Sequence, residues 1–207
     1  DVQMGYLQEK FGKKGLMILY TSPWPGQGFY TKTPVNSVAD FKGKKLRIYS
    51  TATQQMGSML GFNATILPFA EIPQAFSTGL IEALFTSPQT GIDIQAWDNT
   101  KHFTYAGAIF SKNAVVVSKK AFNALSKNDQ ANMLAAAKRA ELRGWEMSAE
   151  TTKKQIDILK KNGMSAKNAP DEVISKMKTI GLEMMKTWRA KASPEANVVL
   201  DRYLSMR

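Results

Sequence analysis

The apolar pattern of the chain changes near residue 118, and this change limits the folds that the chain can adopt. Before it, apolar segments of strand length alternate with helical patterns, and the strand segments lie at residues 16–21, 45–49, 64–67, 81–86 and 113–118. After it, the periodicity is helical only: one pattern follows a capping sequence at residues 126–129 and ends at Gly163, and two further helices close the chain. This arrangement predicts an α/β protein with a mostly parallel sheet and a helical C-terminal half.

Composition excludes several classes of protein. Of the 207 residues, 43% are hydrophobic and 10% aromatic, which is enough for a packed core and is not typical of a disordered chain. The chain has no cysteine, so disulfides, thiolate metal sites and cysteine nucleophiles are excluded. Its one histidine, His102, cannot supply a zinc site built on several imidazoles. The sequence has no phosphate loop, dinucleotide motif or calcium loop, so we expect neither a metal nor a cofactor.

The basic balance of the chain raises the question of an anionic partner. Lysine and arginine number 28 against 17 acidic residues, a net charge of +11. The basic residues are scattered as doublets and never form a run of four, which favours a solvated surface over a nucleic-acid footprint. No segment approaches the length of about 18 apolar residues that a membrane span needs. A basic nucleic-acid-binding domain therefore stays a remote alternative, and we expect no nucleic-acid partner.

Polar side chains follow two predicted strands where each strand ends. Arg47 lies near the end of the strand at residues 45–49, and Ser50 caps the helix that follows. Thr86 and Ser87 repeat the arrangement before Pro88. Ligands of open α/β sheets bind at this edge, and arginine and helix N-termini both favour anions. The pattern indicates an anion site around Arg47, although a surface arginine and plain helix caps explain the same residues.

Several segments, taken in order, resemble one family. Residues 37–47 fit the pattern S-x-x-D-x-K-G-x-K-x-R, and further matches fall at residues 68–72, 78–82 and 113–125. Together they resemble the solute-binding proteins of TRAP transporters, the DctP-like tripartite ATP-independent periplasmic proteins. Each motif is weak alone, and the ordered combination is specific. The resemblance covers essentially the whole chain.

The resemblance implies a two-lobed flytrap fold with a ligand cleft between α/β lobes. Residues 1–25 would end the first excursion in lobe one, 26–112 would form most of lobe two, 113–152 would return to lobe one, and 153–207 would finish lobe two with the C-terminal helices. The family has more of lobe one, and a signal peptide, ahead of the position of Asp1. We therefore expect an incomplete lobe one, with apolar surface at residues 16–20 and 114–118 covered by a missing N-terminal segment or by self-association.

The resemblance also assigns roles to residues. Arg47 matches the family arginine that binds the ligand carboxylate, Ser50 matches a neighbouring polar contact, and Phe69 falls where an aromatic side chain packs on the ligand. Thr86 or Ser87 falls near a position usually held by asparagine.

Two further candidates complete the predicted site. Gln27 falls near a second family arginine, and the loss of that charge argues against a second carboxylate. Trp97 is a further candidate ligand contact, although its helical spacing also fits a core position. With a lone Arg47 and four tryptophans, the chain suits a monocarboxylate with an apolar or aromatic body.

The resemblance implies a binding protein and not an enzyme. It would capture a small organic acid in the periplasm and deliver it to the membrane permease subunits of a TRAP transporter. No residue is assigned a catalytic role. One alternative is an α/β enzyme that uses His102 as its base, but no acidic residue stands at a spacing that predicts a partner for this imidazole.

Overall fold

The computed structural model describes residues 2–206, apart from the side chain at position 149. Residue 1, where the expected first range of lobe one begins, and residue 207, where the expected last range of lobe two ends, lie outside the described residues. The described chain divides into two compact units. Unit 1 contains residues 2–23, 112–148 and 186–206, and unit 2 contains residues 24–111 and 149–185. No helix among the described residues is both long and apolar enough to cross a bilayer.

Unit 1 is built on a two-stranded antiparallel sheet. Strand β1 (Leu16–Pro23) pairs with β7 (Lys112–Ser118), and Ile18 of β1 is buried while Val116 of β7 stays 40% exposed. The expected apolar surface at residues 16–20 and 114–118 is therefore uncovered in part. The helices that contribute to unit 1 are α1 (Met4–Gly12), α5 (Lys119–Asn123), the first part of α6 (Lys127–Lys161), the end of α7 (Asp171–Lys191) and α8 (Pro194–Leu204).

The C-terminal segment differs from the expected division. The family resemblance assigns residues 153–207 to lobe two, whereas residues 186–206 belong to unit 1 in the structure. The reason is that α7 continues past residue 185 and α8 then packs against α1.

Unit 2 contains a six-stranded sheet in the order β4-β3-β5-β2-β6-β8. Strand β3 runs parallel to β4 and β5, and β6 runs parallel to β8, but β2 lies antiparallel to both β5 and β6. The expected mostly parallel sheet is therefore a mixed sheet. The strands are β2 (Gln27–Thr31), β3 (Lys45–Ile48), β4 (Asn63–Ile66), β5 (Ala83–Thr86), β6 (His102–Ala108) and β8 (Ser165–Asn168).

Three short helices of unit 2 follow strands, as the sequence predicted: α2 (Thr51–Met59), α3 (Ile72–Ser77) and α4 (Pro88–Asp93). The helix that begins at Pro88 is short. It ends at Asp93 because Gln95 adopts a left-handed backbone (φ 50°), and a separate 3₁₀ turn covers Ala96–Asp98.

The unit 2 sheet separates two apolar clusters. Phe29 and Tyr30 are adjacent in β2, and because side chains alternate along a strand, each is fully buried in a different cluster. Phe29 packs its ring 4.7 Å from that of Phe41 and 4.8 Å from that of Phe85. Tyr30 packs its ring 4.5 Å from that of Phe103. With both faces covered, the sheet forms a fixed base for side chains at its edge.

Candidate functional site

One edge of the unit 2 sheet collects most of the residues that the sequence singled out. Strands β3, β4 and β5 are parallel, so their carboxyl ends share this edge. Strand β2 begins there, since Gly28 pairs with Thr86, and β6 ends there, since Gln27 pairs with Ala108. The edge therefore brings together Gln27, Arg47, Ser50, Thr86 and Ser87.

Arg47 is the buried cation of this edge. Its side chain is 4% exposed, and its Nε donates a hydrogen bond of 3.0 Å to the carbonyl oxygen of Leu67. Within residues 2–206, no carboxylate pairs with its guanidinium and no group accepts from its terminal nitrogens. Burial lowers the pKa of Arg47, and the nearby Tyr49 partly offsets that effect. Because arginine keeps its charge in proteins, the site holds a desolvated cation that an anion would neutralise.

Tyr49 and Gln27 form a hydrogen-bonded pair beside Arg47. The guanidinium carbon of Arg47 lies 5.9 Å from the centre of the Tyr49 ring. The Tyr49 hydroxyl donates to Oε1 of Gln27 at 2.9 Å, and Nε2 of Gln27 donates to the carbonyl oxygen of Ile109 at 3.1 Å. Burial raises the pKa of the Tyr49 phenol, while the hydrogen bond to Gln27 and the charge of Arg47 act in the opposite direction. Both ends of the Gln27 amide are thus bonded within the protein.

Two helices begin at the same edge, each capped by a serine. The Ser50 hydroxyl accepts from the amide of Thr53 at 3.2 Å, and the Thr53 hydroxyl accepts from the amide of Ser50 at 3.1 Å. Ser87 caps α4 in the same way, accepting from the amide of Thr90 at 3.2 Å. The remaining free amides of a helix N-terminus carry partial positive charge, so both helices favour an anion near this edge.

The two aromatic residues predicted to contact the ligand, Phe69 and Trp97, lie in different parts of unit 2. Phe69 follows the turn after Leu67, whose carbonyl holds Arg47, and its ring is 51% exposed beside the edge. The structure does not bring Trp97 to this edge. Trp97 packs against the second apolar cluster in the turn before Lys101, which bonds to Thr31 at the other end of β2.

His102 also lies at that other end. It begins β6 opposite Thr31, while Ala108 at the end of β6 lies opposite Gln27. His102 is therefore separated from Arg47 by the length of the strand. In the part of the chain that the structure describes, no group of three histidine or acidic side chains is placed to hold a metal ion.

A cavity of about 570 Å³ adjoins the edge within unit 2. It lies between α2, the end of β6 and α7. Tyr49 lines this cavity, and its ring also lies beside the Arg47 guanidinium. The lining is mostly apolar, but it also contains Lys178 and the serine and threonine residues Ser50, Thr53 and Ser111. Its apolar lining includes Met56, Ile109, Ile174, Met177, Ile180 and Met184.

Sequence reasoning missed Tyr49. The signal was present: residues two apart in a strand point to the same face, so a side chain two positions after Arg47 belongs beside it. An aromatic side chain at a strand end is ordinary, so the pattern alone does not single out Tyr49.

A buried arginine at the edge of a sheet, whose terminal nitrogens have no acceptor among the described residues, is typical of a site for an anionic ligand. Comparison with known proteins identifies the class further. The chain belongs to family 7 of the bacterial extracellular solute-binding proteins (DctP), whose family model matches residues 3–191. The resemblance deduced from the sequence motifs is thereby confirmed.

Solved structures agree with this assignment. DctP7 of Bordetella pertussis, an extracytoplasmic solute receptor binding pyroglutamic acid, is 39% identical with a TM-score of 0.94 over 98% of this chain and 67% of its own. DctP6 of the same organism, also binding pyroglutamic acid, is 34% identical with a TM-score of 0.94 over 99% of this chain and 68% of its own. A marine metagenome TRAP solute-binding protein specific for pyroglutamate is 31% identical with a TM-score of 0.92 over 99% and 67%. The two-lobed flytrap fold expected from the sequence is therefore confirmed.

A curated relative matches a shorter region. An uncharacterized protein of Haemophilus influenzae is 26% identical over 125 residues, which are 60% of this chain and 38% of that protein. The chain therefore spans well under two thirds of that relative and about two thirds of the solved receptors.

Proposed function

We propose that this chain is a periplasmic solute-binding component of a TRAP transporter that captures a small monocarboxylate and presents it to the membrane permease. The observation that carries the proposal is Arg47, a buried guanidinium whose terminal nitrogens have no acceptor among the described residues. The family assignment supports the extracellular location and the role in binding.

The chemistry of the edge favours a carboxylate. A guanidinium offers two parallel N–H donors that match the two oxygens of a carboxylate. A charge-assisted hydrogen bond contributes about 1.5–3 kcal/mol net, and the ligand also removes the cost of the unpaired buried charge. The N-termini of α2 and α4 add favourable potential at the same edge.

A single carboxylate fits better than two. Gln27 stands at the edge without a charge, and both ends of its amide are occupied by Tyr49 and Ile109. The three receptors described above, at 31–39% identity, bind pyroglutamate, a monocarboxylate with a compact ring. We therefore name pyroglutamate as the first ligand to test.

The test compares ligand affinity in matched arginine variants. Isothermal titration with L-pyroglutamate should show that Arg47→Ala weakens binding at least about 100-fold, or ~2.7 kcal/mol. Arg47→Lys should recover only part of the affinity, because a lysine lacks the fork. Arg139→Ala is the control, since Arg139 is an exposed arginine on α6 in unit 1.

Two further measurements separate the parts of the proposal. Pyroglutamide, which lacks the carboxylate, should not compete with pyroglutamate. Mass spectrometry of molecules released from the purified protein should identify a small organic acid. Full affinity for pyroglutamate in Arg47→Ala, or equal binding of pyroglutamide, would show that Arg47 does not bind the ligand carboxylate. A released acid other than pyroglutamate would keep that role and replace the ligand.

A further inference from the structure

We propose that Tyr49 and Gln27 are positioning residues that couple the state of Arg47 to the backbone conformation of Ile109, close to the point where the chain leaves unit 2. The proposal rests on the proposed function for its ligand, since the change in Arg47 that we expect is the binding of a carboxylate. The contacts themselves are independent of any ligand and can be tested without one.

The contacts form an unbroken series inside unit 2. The Arg47 guanidinium lies over the Tyr49 ring, the Tyr49 hydroxyl donates to Gln27, and Gln27 donates to the carbonyl of Ile109. Gln27 is only 3% exposed and Arg47 only 4%. Tyr49 is half-buried and Ile109 is 37% exposed, so water is excluded mainly from the Arg47 and Gln27 part of the series.

Ile109 occupies a backbone conformation that its side chain disfavours. Its φ is +55°, in the left-handed region, where a β-branched residue is a marked exception. Its carbonyl oxygen accepts hydrogen bonds from Nε2 of Gln27 at 3.1 Å and from the amide of Ser111 at 3.1 Å. A strained residue that depends on such bonds has a relaxed alternative available when they are lost.

The strained residue adjoins both crossings of the chain. The chain enters unit 2 at residue 24 and leaves it after residue 111. The amide of Trp24 donates to the carbonyl of Ser111 at 2.7 Å, so the entering and leaving segments are bonded to each other. A change at Ile109 reaches this bond through Ser111, two residues further along the chain.

The Gln27 amide transmits the state of Tyr49 because its two ends are different. When the Tyr49 hydroxyl donates to the oxygen, the nitrogen must face Ile109. Without that hydroxyl the Gln27 oxygen loses its donor, and only the bond to the Ile109 carbonyl then holds the amide in place. Arg47 acts on the hydroxyl electrostatically, because a cation over the ring makes the phenol a stronger donor. A carboxylate bound to Arg47 offsets that charge and weakens the Tyr49 bond.

The experiment is a double-mutant cycle read by NMR on the ligand-free chain. The readout is the ¹⁵N–¹H shift of the Trp24 amide, which reports its bond to Ser111. Arg47→Met removes the charge and should move this signal. In a Tyr49→Phe background the same substitution should move it by less than about half as much, since coupled residues give non-additive effects.

Tyr105→Phe is the matched control. Tyr105 is a half-buried tyrosine of the same sheet, and its hydroxyl bonds to none of the described residues. In that background Arg47→Met should keep its full effect on the Trp24 signal. Equal effects in the Tyr49→Phe and Tyr105→Phe backgrounds, or no effect of Arg47→Met at all, would overturn the coupling.

A ligand arm distinguishes this proposal from the proposed function. Saturating L-pyroglutamate should shift the Trp24 amide in the unchanged chain, and it should shift this amide by less than half as much in Tyr49→Phe once that variant is also saturated. If pyroglutamate does not bind the unchanged chain, the proposed ligand fails while the mutant cycle still decides the coupling. If it binds normally and the shift persists in Tyr49→Phe, the coupling fails and the proposed function stands.

Discussion

Gly91 of α4 lies directly against the phenol of Tyr30 in β2, so closely that a β-carbon at position 91 would overlap the Tyr30 ring. The Tyr30 hydroxyl donates to the carbonyl of Ser87 at 3.1 Å, which ties the ring to the start of α4. The helix can rest on the sheet at this point only because residue 91 has no side chain.

We expect Gly91→Ala to destabilise the protein. The added methyl group meets a fully buried ring that cannot move away, and such overpacking costs about 1–3 kcal/mol. At this chain length each kcal/mol lowers the melting temperature by about 2–4 °C. Differential scanning calorimetry of the two proteins measures the change.

A double variant identifies the cause. Tyr30→Phe removes the hydroxyl atom that lies nearest the added β-carbon. Gly91→Ala should therefore cost less in a Tyr30→Phe background than in the unchanged protein. An identical cost in both backgrounds would show that the alanine disturbs something other than Tyr30.

Gly181 gives the opposite prediction for the same substitution. It lies inside α7, and a β-carbon there would meet open space beside the cavity. Glycine in a helix interior costs about 0.5–1 kcal/mol relative to alanine. Gly181→Ala should raise the free energy of unfolding by this amount in urea titrations, and a decrease would contradict the open space around position 181.

Glu141 predicts an acid-sensitive contribution to stability in unit 1. Its carboxylate accepts from the amide of Thr21 at 3.1 Å and from the Thr21 hydroxyl at 3.0 Å. The bond from the Thr21 amide is the largest influence, and it holds the pKa of Glu141 below its ordinary value although partial burial opposes it. A depressed pKa stabilises the fold above the unfolded-state pKa of about 4.3 and loses that contribution as the pH falls further.

The test is urea unfolding between about pH 7 and pH 3. Near neutral pH, Glu141→Gln should be less stable by about 1 kcal/mol, a low value because the carboxylate is 21% exposed. The difference should shrink below about pH 4.3, where the unchanged glutamate takes up a proton. Glu146→Gln, an exposed change on the same helix, should show no such convergence. A gap that stays constant in acid contradicts the assignment.

Ser50 provides a test of the helix that starts at the candidate site. Ser50→Ala removes the acceptor for the Thr53 amide and should cost about 1 kcal/mol. Ser50→Gly should cost only a few tenths, because glycine leaves the amide open to water. Ser58→Ala, an exposed serine of the same helix, serves as the control in thermal unfolding. Equal losses of stability in Ser50→Ala and Ser58→Ala would show that the Ser50 cap does not stabilise the helix.

The position of Arg47 could be predicted from the sequence because it depends on local patterns. Strand, turn and capping serine follow one another along the chain, and the parallel strands then bring their carboxyl ends together. The bonds of Gln27 could not be predicted in this way. Its partners Tyr49 and Ile109 lie 22 and 82 positions away in the chain, and only the antiparallel insertion of β2 brings them near.

Strands β6 and β8 were missed for different physical reasons. Strand β6 ends in Ala106, Gly107 and Ala108, small residues that lack the branched side chains typical of strands. Strand β8 is a short polar edge strand that pairs only with β6. Its extended conformation depends on that neighbour, and a single polar segment carries no alternation from which to predict it.

The pairing of β1 with β7 sets an order on the folding of the chain. Leu16 pairs with Ser118, so β1 cannot pair with β7 until the intervening strands β2 to β6 have been synthesised. Distant pairings of this kind pay a large loop-closure entropy and slow the folding of a domain. Until β7 has left the ribosome, the edge of β1 that pairs with it stays open, and exposed strand edges of this kind make a newly made chain prone to aggregation.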